Sequence, residues 1–209
     1  MMDELLKRRR SVRIFNKNIP PKESIYKLIE AAISAPSANN KQPWKFIIIY
    51  NHSEIIKELQ YIADMEIQSL SNNIHPDFRK QFRNYSKKYI SFLDSRVMII
   101  ALYKINPTMN NIMDHDKKQT PGLNFIDHHN SLLSTGMAIE NILLTATDLQ
   151  LGACCITGHL IAKEKLKNRL KIPEGWEIAA FIPVGFPDEK PDIPKKKDIH
   201  TFIKWLEVI

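Results

Sequence analysis

Near its start the chain places three arginines and a serine within five residues, in the run RRSVR from Arg9 to Arg13. Each guanidinium group is a planar fork of N–H donors that matches two oxygens of a phosphate, and the hydroxyl of Ser11 adds another donor. The run therefore indicates a site for a phosphate-bearing anion, with Arg9, Arg10, Ser11 and Arg13 as its donors. A basic cluster can equally be a solvated surface, and this run alone does not separate the two interpretations.

A second run, APSANNKQPW from Ala35 to Trp44, places a proline, small polar residues and asparagines directly before an apolar segment. Short side chains and backbone amides in such a loop can lie close to a flat ligand. The same residue types also form ordinary turns. Because the two runs occur in this order, each after an amphipathic helical pattern, together they predict a site for flavin mononucleotide (FMN).

The chain has no glycine-rich phosphate loop, because the spacing of Gly152 and Gly158 matches neither GxGxxG nor GxxxxGK[ST]. Side chains must therefore bind the phosphate. A second basic cluster, Lys195 to Lys197, could assist them or could be a solvated tail. In the segment CCITGHL, Gly158 follows Thr157 at a predicted strand end, where a glycine lets the backbone approach a ligand unless the segment is a plain turn.

Helical and strand patterns alternate along the sequence and predict a mixed chain of helices and strands. These elements must position the candidate binding residues. Residues 187–194 are extended by prolines, and an apolar terminus follows that often packs on a partner subunit. The helix predicted over 126–149 is apolar almost all round, so either a dimer interface or the interior of one chain must cover it. The predicted helices are 3–10, a segment from Pro21 to Pro36, a segment capped by Ser53, 126–149 and 162–170, and the predicted strands are 44–50, 96–103, 152–156 and 177–184. Residues 71–91 read as helix and loop, and the polar excursion 105–124 is a candidate cover over a site.

Length and composition predict one domain over residues 1–209, with 44% hydrophobic and 25% charged residues as in ordinary globular proteins. No apolar run approaches the roughly 18 residues that span a bilayer, and the N-terminal residues lack the apolar core of a secretion signal. The two cysteines, Cys154 and Cys155, are adjacent, which makes a mutual disulfide awkward and is typical of a reducing compartment. We expect a cytoplasmic protein without a membrane segment.

The net charge of +7 favours anionic ligands and would permit nucleic-acid binding. The lysines are spread over many segments, however, and no aromatic residues alternate with them as a base-stacking surface requires, which disfavours nucleic acid. Two runs, Asp114 to Asp116 and Asp127 to His129, contain metal-ligand residue types. Consecutive residues on a helix point in different directions, so a metal site is disfavoured as well.

From Leu5 onwards the chain resembles the nitroreductase family of FMN-dependent oxidoreductases, through four motifs in the family's order. They are RRSVR, APSANNKQPW, AIENILLTATDLQLGACCITG and IPEGWEIAAFIPVGFPDEKP. The resemblance implies an α+β sandwich, in which a mainly antiparallel sheet is flanked by helices and the C-terminal arm is exchanged in a homodimer. It also implies a ping-pong reaction at the flavin, with NAD(P)H as reductant and a nitroaromatic, quinone or similar small electrophile as acceptor.

The same resemblance implies which residues hold the cofactor. Lys195 and Lys197 would join the arginine cluster at the FMN phosphate, and the backbone at Thr157 and Gly158 would face the flavin, with one amide donating toward N5. Residues that would meet the isoalloxazine ring from the other subunit are Pro36, Ser37, Ala38 and Asn40. Because the flavin supplies the reactive atom, no catalytic side chain is required.

Three other functions remain open from the sequence. One is a different flavin reaction on the same scaffold, such as reductive dehalogenation or flavin breakdown, which needs a specialised lid. Another is a non-catalytic FMN-binding redox sensor, which would bind flavin but turn over no pyridine nucleotide. The last is a basic nucleic-acid-binding protein, which would show steep salt dependence and no flavin colour.

Overall fold

The structure is a computed structural model and describes residues 2–90, 95–105 and 121–206. Its helices are α1 (Met2–Arg8), α2 (Lys22–Ile33), α3 (Ser53–Asn72), α4 (Pro76–Ile90), α5 (Pro121–Asp148) and α6 (Lys163–Arg169). Its strands are β1 (Trp44–Tyr50), β2 (Val97–Lys104), β3 (Gly152–Ala153) and β4 (Trp176–Gly185). Short 3-10 helices cover Ala38–Asn40, Gly158–Ala162 and Ile199–Thr201.

The strands form one antiparallel sheet in the order β1-β2-β4-β3. Strand β2 lies inside the sheet, and every residue in it except Lys104 is buried. Its side chains alternate between the two faces, as the two-residue period of a strand requires. Val97, Ile99, Ala101 and Tyr103 belong to one hydrophobic core, and Met98, Ile100 and Leu102 belong to the other.

Helices cover both faces of this sheet. On one face, α2 contributes Ile25, Leu28 and Ala32, whose spacing of three and four residues places them on one side of the helix. Helix α5 packs beside α2 over the same core. On the other face, α3 and α6 bury residues such as Leu59 and Leu166. The arrangement confirms the predicted α+β class, with an antiparallel sheet flanked by helices.

The segment after α1 joins this sheet instead of continuing the helix. The N–H of Val12 donates to the carbonyl of Ala153 at 3.1 Å, and that of Asn16 donates to the carbonyl of Phe186 at 3.0 Å. Residues 11–16 therefore pair first with β3 and then with the chain that leaves β4. This pairing explains why the helix predicted over 3–10 ends at Arg8.

Two glycines, which are cross-strand partners, make the close approach of this segment possible. A Cβ atom on Gly152 would lie 2.6 Å from Cγ1 of Val12, and one on Gly185 would lie 2.8 Å from Cδ1 of Phe15. Carbon atoms in contact normally lie about 3.5–4.0 Å apart. The absence of side chains at these two positions lets Val12 and Phe15 pack directly on the sheet, where both are buried.

Most predicted elements are present, with shifts at their ends. Strand β1 has the predicted bounds, whereas the strand predicted over 152–156 ends at Ala153 and is followed only by an isolated pairing of Ile156 with Phe181. Ser53 is not a cap, because it is the first helical residue of α3 and His52 occupies the capping position without a side-chain hydrogen bond. Helix α4 accounts for most of the region predicted as helix and loop.

Helix α5 begins at Pro121, earlier than predicted, and is less uniformly apolar than the sequence pattern indicates. Polar residues near its middle are buried, among them Ser131, Ser134 and Thr135, while Leu132 and Leu133 are exposed. The excursion predicted over 105–124 falls mostly on residues 106–120, which lie outside the described residues. In the described part of the chain, no helix combines the length and the apolar character that crossing a membrane requires.

Candidate functional site

A cleft of about 610 Å³ lies where the N-terminal basic run meets the proline-rich segment that follows β4. Its cationic lining residues come from both ends of the chain and are Lys7, Arg9, Arg10, Arg13 and Lys196, and the hydroxyl-bearing Ser11 lies among them. One carboxylate, Asp192, is also in the lining. The excess of positive charge suits a phosphate or another doubly charged anion.

The extended backbone of residues 11–16 aims the arginines at this cleft. Ser11 is paired in parallel with Ala153, and the buried Val12 separates it from Arg13. Because successive side chains of an extended chain alternate, burial of Val12 turns Ser11 and Arg13 away from the core. The sequence-predicted donors Arg9, Arg10, Ser11 and Arg13 are thus brought together, as their spacing indicates.

Two contacts shape the first half of this run. Nε of Arg9 lies 3.7 Å from Oε1 of Glu140 on α5, in an ion pair that is partly open to solvent. Nη1 of Arg10 donates to the carbonyl oxygen of Arg9 at 2.6 Å. The first contact ties the basic run to the long helix, and the second folds the Arg10 side chain back along its own backbone.

The second basic cluster reaches the cleft through its middle residue. Lys196 lines the cleft, whereas Lys195 and Lys197, the residues implied by the family resemblance, are exposed and do not line it. All three lie in the extended segment after Pro194, so their side chains alternate in direction. The assignment of Lys195 and Lys197 to the FMN phosphate stays a prediction.

The loop predicted to meet the isoalloxazine ring, residues 36–40, packs on α5 outside the cleft. Its 3-10 turn contains Asn39 and Asn40 at φ 52°, a left-handed conformation that asparagine adopts more readily than most residues. The N–H of Gln42 donates to Oγ of Ser37 at 3.0 Å, and the N–H of Ala38 donates to Oγ of Ser134 at 3.4 Å. Within one chain, Pro36, Ser37, Ala38 and Asn40 do not line the cleft.

The predicted turn at Thr157 and Gly158 lies just after the chain pairs with β4. Ile156 exchanges two backbone hydrogen bonds with Phe181, at 2.8 and 2.9 Å, and the carbonyl of Thr157 then accepts from the N–H of Leu160 at 2.9 Å. Thr157 is exposed and Gly158 is partly exposed. A single chain therefore presents the predicted cofactor residues in four separate groups. Only the group formed by the arginine run and Ser11 lines the cleft, where Lys196 joins it.

Cys154 lies behind the arginine run, at the end of β3. Its thiol is buried and is hydrogen-bonded to Ser11. Burial raises the pKa of Cys154, and the charge of Arg13 and the hydrogen bond with Ser11 oppose that rise. The elevated pKa keeps this thiol protonated near neutral pH, which agrees with a packing role.

The histidines of the run 127–129 face different partners. Nε2 of His128 lies 2.8 Å from Oη of Tyr103, and Nδ1 of His129 lies 3.2 Å from the carbonyl oxygen of Phe125. Among the residues that the structure describes, no three side chains of metal-ligand type come together. The other predicted run, Asp114 to Asp116, lies outside those residues.

Sequence reasoning missed the residue that joins the two ends of the chain at the cleft. Oε1 of Glu189 accepts the N–H of Arg13 at 2.5 Å and that of Ile14 at 2.9 Å. The sequence offers no local signal for this role, because the partners are 175 or 176 positions away. The role of Glu140 beside Arg9 is equally non-local.

The model of the nitroreductase family matches residues 6–186, and the chain belongs to that family. Among curated relatives, it is 28% identical to iodotyrosine deiodinase of Drosophila melanogaster, in an alignment that covers 92% of this chain and 66% of that protein. The chain thus spans just under two thirds of the length of that relative. It is 26% identical to iodotyrosine deiodinase of Thermotoga neapolitana, over 97% of each chain.

Solved structures share the fold. A BluB-like flavoprotein from Clostridium difficile 630 matches with a TM-score of 0.83 and 22% identity, over 99% of both chains. A nitroreductase with bound FMN from Desulfitobacterium hafniense DCB-2 matches with a TM-score of 0.72 and 20% identity, over 98% of this chain and 97% of that one. An iodotyrosine deiodinase bound to FMN and 3-iodo-L-tyrosine gives the same TM-score and identity, over 98% and 100%.

Proposed function

We propose that this protein is an FMN-dependent oxidoreductase of the nitroreductase family. The observation that carries the proposal is the convergence of Arg9, Arg10, Ser11, Arg13 and Lys196 around one cleft. Guanidinium, ammonium and hydroxyl donors are the groups that bind a terminal phosphate, and a single lining carboxylate leaves them in excess. Relatives of the same fold that carry FMN support the choice of this nucleotide.

In this proposal the arginine run and Ser11 bind the FMN phosphate, with Lys195 and Lys197 assisting. Thr157 and Gly158 offer backbone amides to the ring, and a second subunit contributes Pro36, Ser37, Ala38 and Asn40. An amide that donates near N5 would favour the electron-rich reduced ring, as donors of an oxyanion site favour developing charge. Bound FMN supplies the hydride-accepting and hydride-donating atom, so the protein contributes binding, orientation and exclusion of water.

A homodimer completes the proposed site. The residues after β4 leave Phe202, Trp205 and Leu206 at 70%, 77% and 85% exposure, and Leu133 on α5 at 66%. Large apolar side chains with this degree of exposure are candidates for a surface that another protein covers. Exchange of the C-terminal arm between two copies would bury it and would bring the ring-facing loop of one copy to the cleft of the other.

The proposed reaction is ping-pong. In it, NAD(P)H would supply hydride to the bound FMN and leave, and a nitroaromatic, a quinone or a similar electrophile would then accept the reducing equivalents in the same pocket. Reductive dehalogenation is the second candidate, and the observation that favours it is specific: relatives named iodotyrosine deiodinase align over 92% and 97% of this chain. Both reactions use the same cofactor site, so they differ in the acceptor and not in the phosphate cleft.

The cofactor is tested by the visible absorbance spectrum of the purified protein and by titration of FMN into the flavin-free protein. Arg9→Ala and Arg13→Ala each remove charge-assisted hydrogen bonds worth about 1.5–3 kcal/mol, so each should weaken FMN binding roughly tenfold to a hundredfold. Arg169→Ala is the matched control, because Arg169 pairs with Glu58 on α3 and does not line the cleft. Full FMN occupancy in both cleft variants would contradict the assignment.

The reaction is tested by anaerobic addition of NADH and then NADPH to the flavin-loaded protein. Bleaching of the flavin bands would establish hydride transfer, and reoxidation by a nitroaromatic or a quinone would support the first candidate. Release of iodide from 3-iodo-L-tyrosine, with no reoxidation by nitroaromatics, would favour dehalogenation. Flavin bands that persist after both pyridine nucleotides have been added would indicate a flavin-binding sensor.

A further inference from the structure

Glu189 places a carboxylate beside the arginine run, next to the cleft that we propose binds the FMN phosphate. Its Oε1 accepts two backbone hydrogen bonds, from the N–H of Arg13 at 2.5 Å and from the N–H of Ile14 at 2.9 Å. By Coulomb's law alone, a negative charge here opposes the binding of a phosphate by Arg13. Its presence therefore needs a reason other than charge.

The reason lies in the backbone that Glu189 joins. The N–H of Asp188 donates to the carbonyl of Ile14 at 2.9 Å, and Phe15 is paired with Pro187. This backbone pairing runs from the end of β4 toward the cleft and ends at Asp188. At the next residue, the side chain of Glu189 takes the place of a backbone acceptor. Beyond Glu189, the chain supplies Pro191, Asp192 and Lys196 to the cleft. The Glu189 carboxylate thus ties both walls of the cleft together at the point where backbone pairing ends.

We propose that Glu189 is a positioning residue for the phosphate site: by accepting the N–H groups of Arg13 and Ile14, it fixes the Arg13 side chain against the segment that carries Lys196. The inference rests on the proposed function, because the phosphate is that of FMN. It differs from simple electrostatics in one prediction, because a model based on charge alone expects no effect from a shortened side chain that keeps its charge. Removing the charge but keeping the acceptor should leave phosphate binding intact or strengthen it, whereas keeping the charge but withdrawing the acceptor should weaken it.

Two substitutions separate charge from geometry. Glu189→Gln keeps the length of the side chain and an Oε1 acceptor but removes the charge. Glu189→Asp keeps the charge but shortens the side chain by one methylene, which withdraws the oxygen from the two N–H groups. Asp188→Asn is the matched control, because Asp188 is the adjacent exposed acid and its link to Ile14 is made by the backbone.

The measurement is the dissociation constant of FMN and of riboflavin for each flavin-free variant, from quenching of flavin fluorescence. Riboflavin has the same ring but no phosphate, so it reports the rest of the site. We expect Glu189→Asp to weaken FMN binding by about tenfold with riboflavin unchanged, as loss of well-formed hydrogen bonds at the phosphate would do. Glu189→Gln and Asp188→Asn should bind FMN at least as tightly as the wild type.

Several results would overturn the inference. Weaker FMN binding in Glu189→Gln, which keeps the acceptor, would show that the charge itself supports phosphate binding. Parallel loss of FMN and riboflavin binding would show that Glu189 has a general structural role. Unchanged FMN binding in Glu189→Asp would show that Glu189 does not position the phosphate site. If wild-type protein binds FMN and Arg13→Ala weakens it, such results refute this inference alone, whereas a wild type that binds no FMN refutes the proposed function and the inference together.

Discussion

The close approach of the arginine run to the sheet depends on Gly152, and adding one methyl group there should destabilise the protein. The Cβ of Gly152→Ala would lie 2.6 Å from Cγ1 and 2.8 Å from Cβ of Val12. Carbon atoms in contact lie about 3.5–4.0 Å apart, so the segment that carries Val12 and strand β3 must separate by roughly 1 Å. Rotation of the Val12 side chain cannot relieve the contact with its Cβ, because that atom is fixed to the backbone.

The backbone of Val12 is itself held, since its N–H donates to the carbonyl of Ala153 at 3.1 Å. Separation therefore strains this hydrogen bond or displaces β3. Overpacking of this kind costs about 1–3 kcal/mol of free energy of unfolding. For a chain of this size each kcal/mol lowers the melting temperature by about 2–4 °C. Because Val12 lies between Ser11 and Arg13, the same shift should also weaken FMN binding.

The assay is urea denaturation of the wild type, Gly152→Ala and a control variant at one protein concentration. Gly136→Ala is the control, because Gly136 lies inside α5 and its added Cβ would meet no atom within 4 Å. It should stabilise the protein by about 0.5–1 kcal/mol, as replacing glycine by alanine within a helix does. A Gly152→Ala variant with the wild-type unfolding midpoint, or a higher one, would refute the steric argument.

Two further predictions concern pH and assembly. Burial lowers the pKa of His159 from 6.5 to about 4, so between these values the unfolded chain binds a proton that the folded chain does not. The free energy of unfolding should fall as pH drops from 6.5 to 4, by up to about 3 kcal/mol, and His159→Leu should flatten that fall in urea titrations. Replacing Phe202 and Trp205 by serine should convert the proposed homodimer to monomers in sedimentation velocity. Tyr61→Ser, which alters a similarly exposed residue of α3, should leave the proposed homodimer intact.

Elements with strong local signals could be predicted from the sequence. The run from Trp44 to Tyr50 is apolar and β-branched, and it forms β1 with the predicted bounds. The apolar face of α2 also follows from the three- and four-residue spacing of its apolar residues. Ends set by distant partners could not be predicted: α1 ends at Arg8 because the next residues pair with Ala153, and β3 ends early although Ile156 still pairs with Phe181.

The candidate site divides in the same way. The arginine run could be found because its donors are neighbours in sequence, and the structure does gather them around one cleft. Which lysine of the second cluster faces that cleft depends on how the segment after β4 is turned, and no local pattern encodes that. The place of Glu189 depends on pairing between the two ends of the chain. The local sequence shows only an acidic residue in a proline-rich tail.

The same long separation indicates when the site forms during folding. The hydrogen bond from the N–H of Ile14 to Glu189 joins residues 175 positions apart, and it requires β3 and β4 to be paired so that Gly152 and Gly185 can receive Val12 and Phe15. Contacts of such high sequence separation carry the cost of closing a long loop and are favoured only after the sheet exists. The cleft is therefore assembled by the completed sheet and cannot form before it. An anion that binds the cleft binds the native state alone and stabilises the entire fold by mass action.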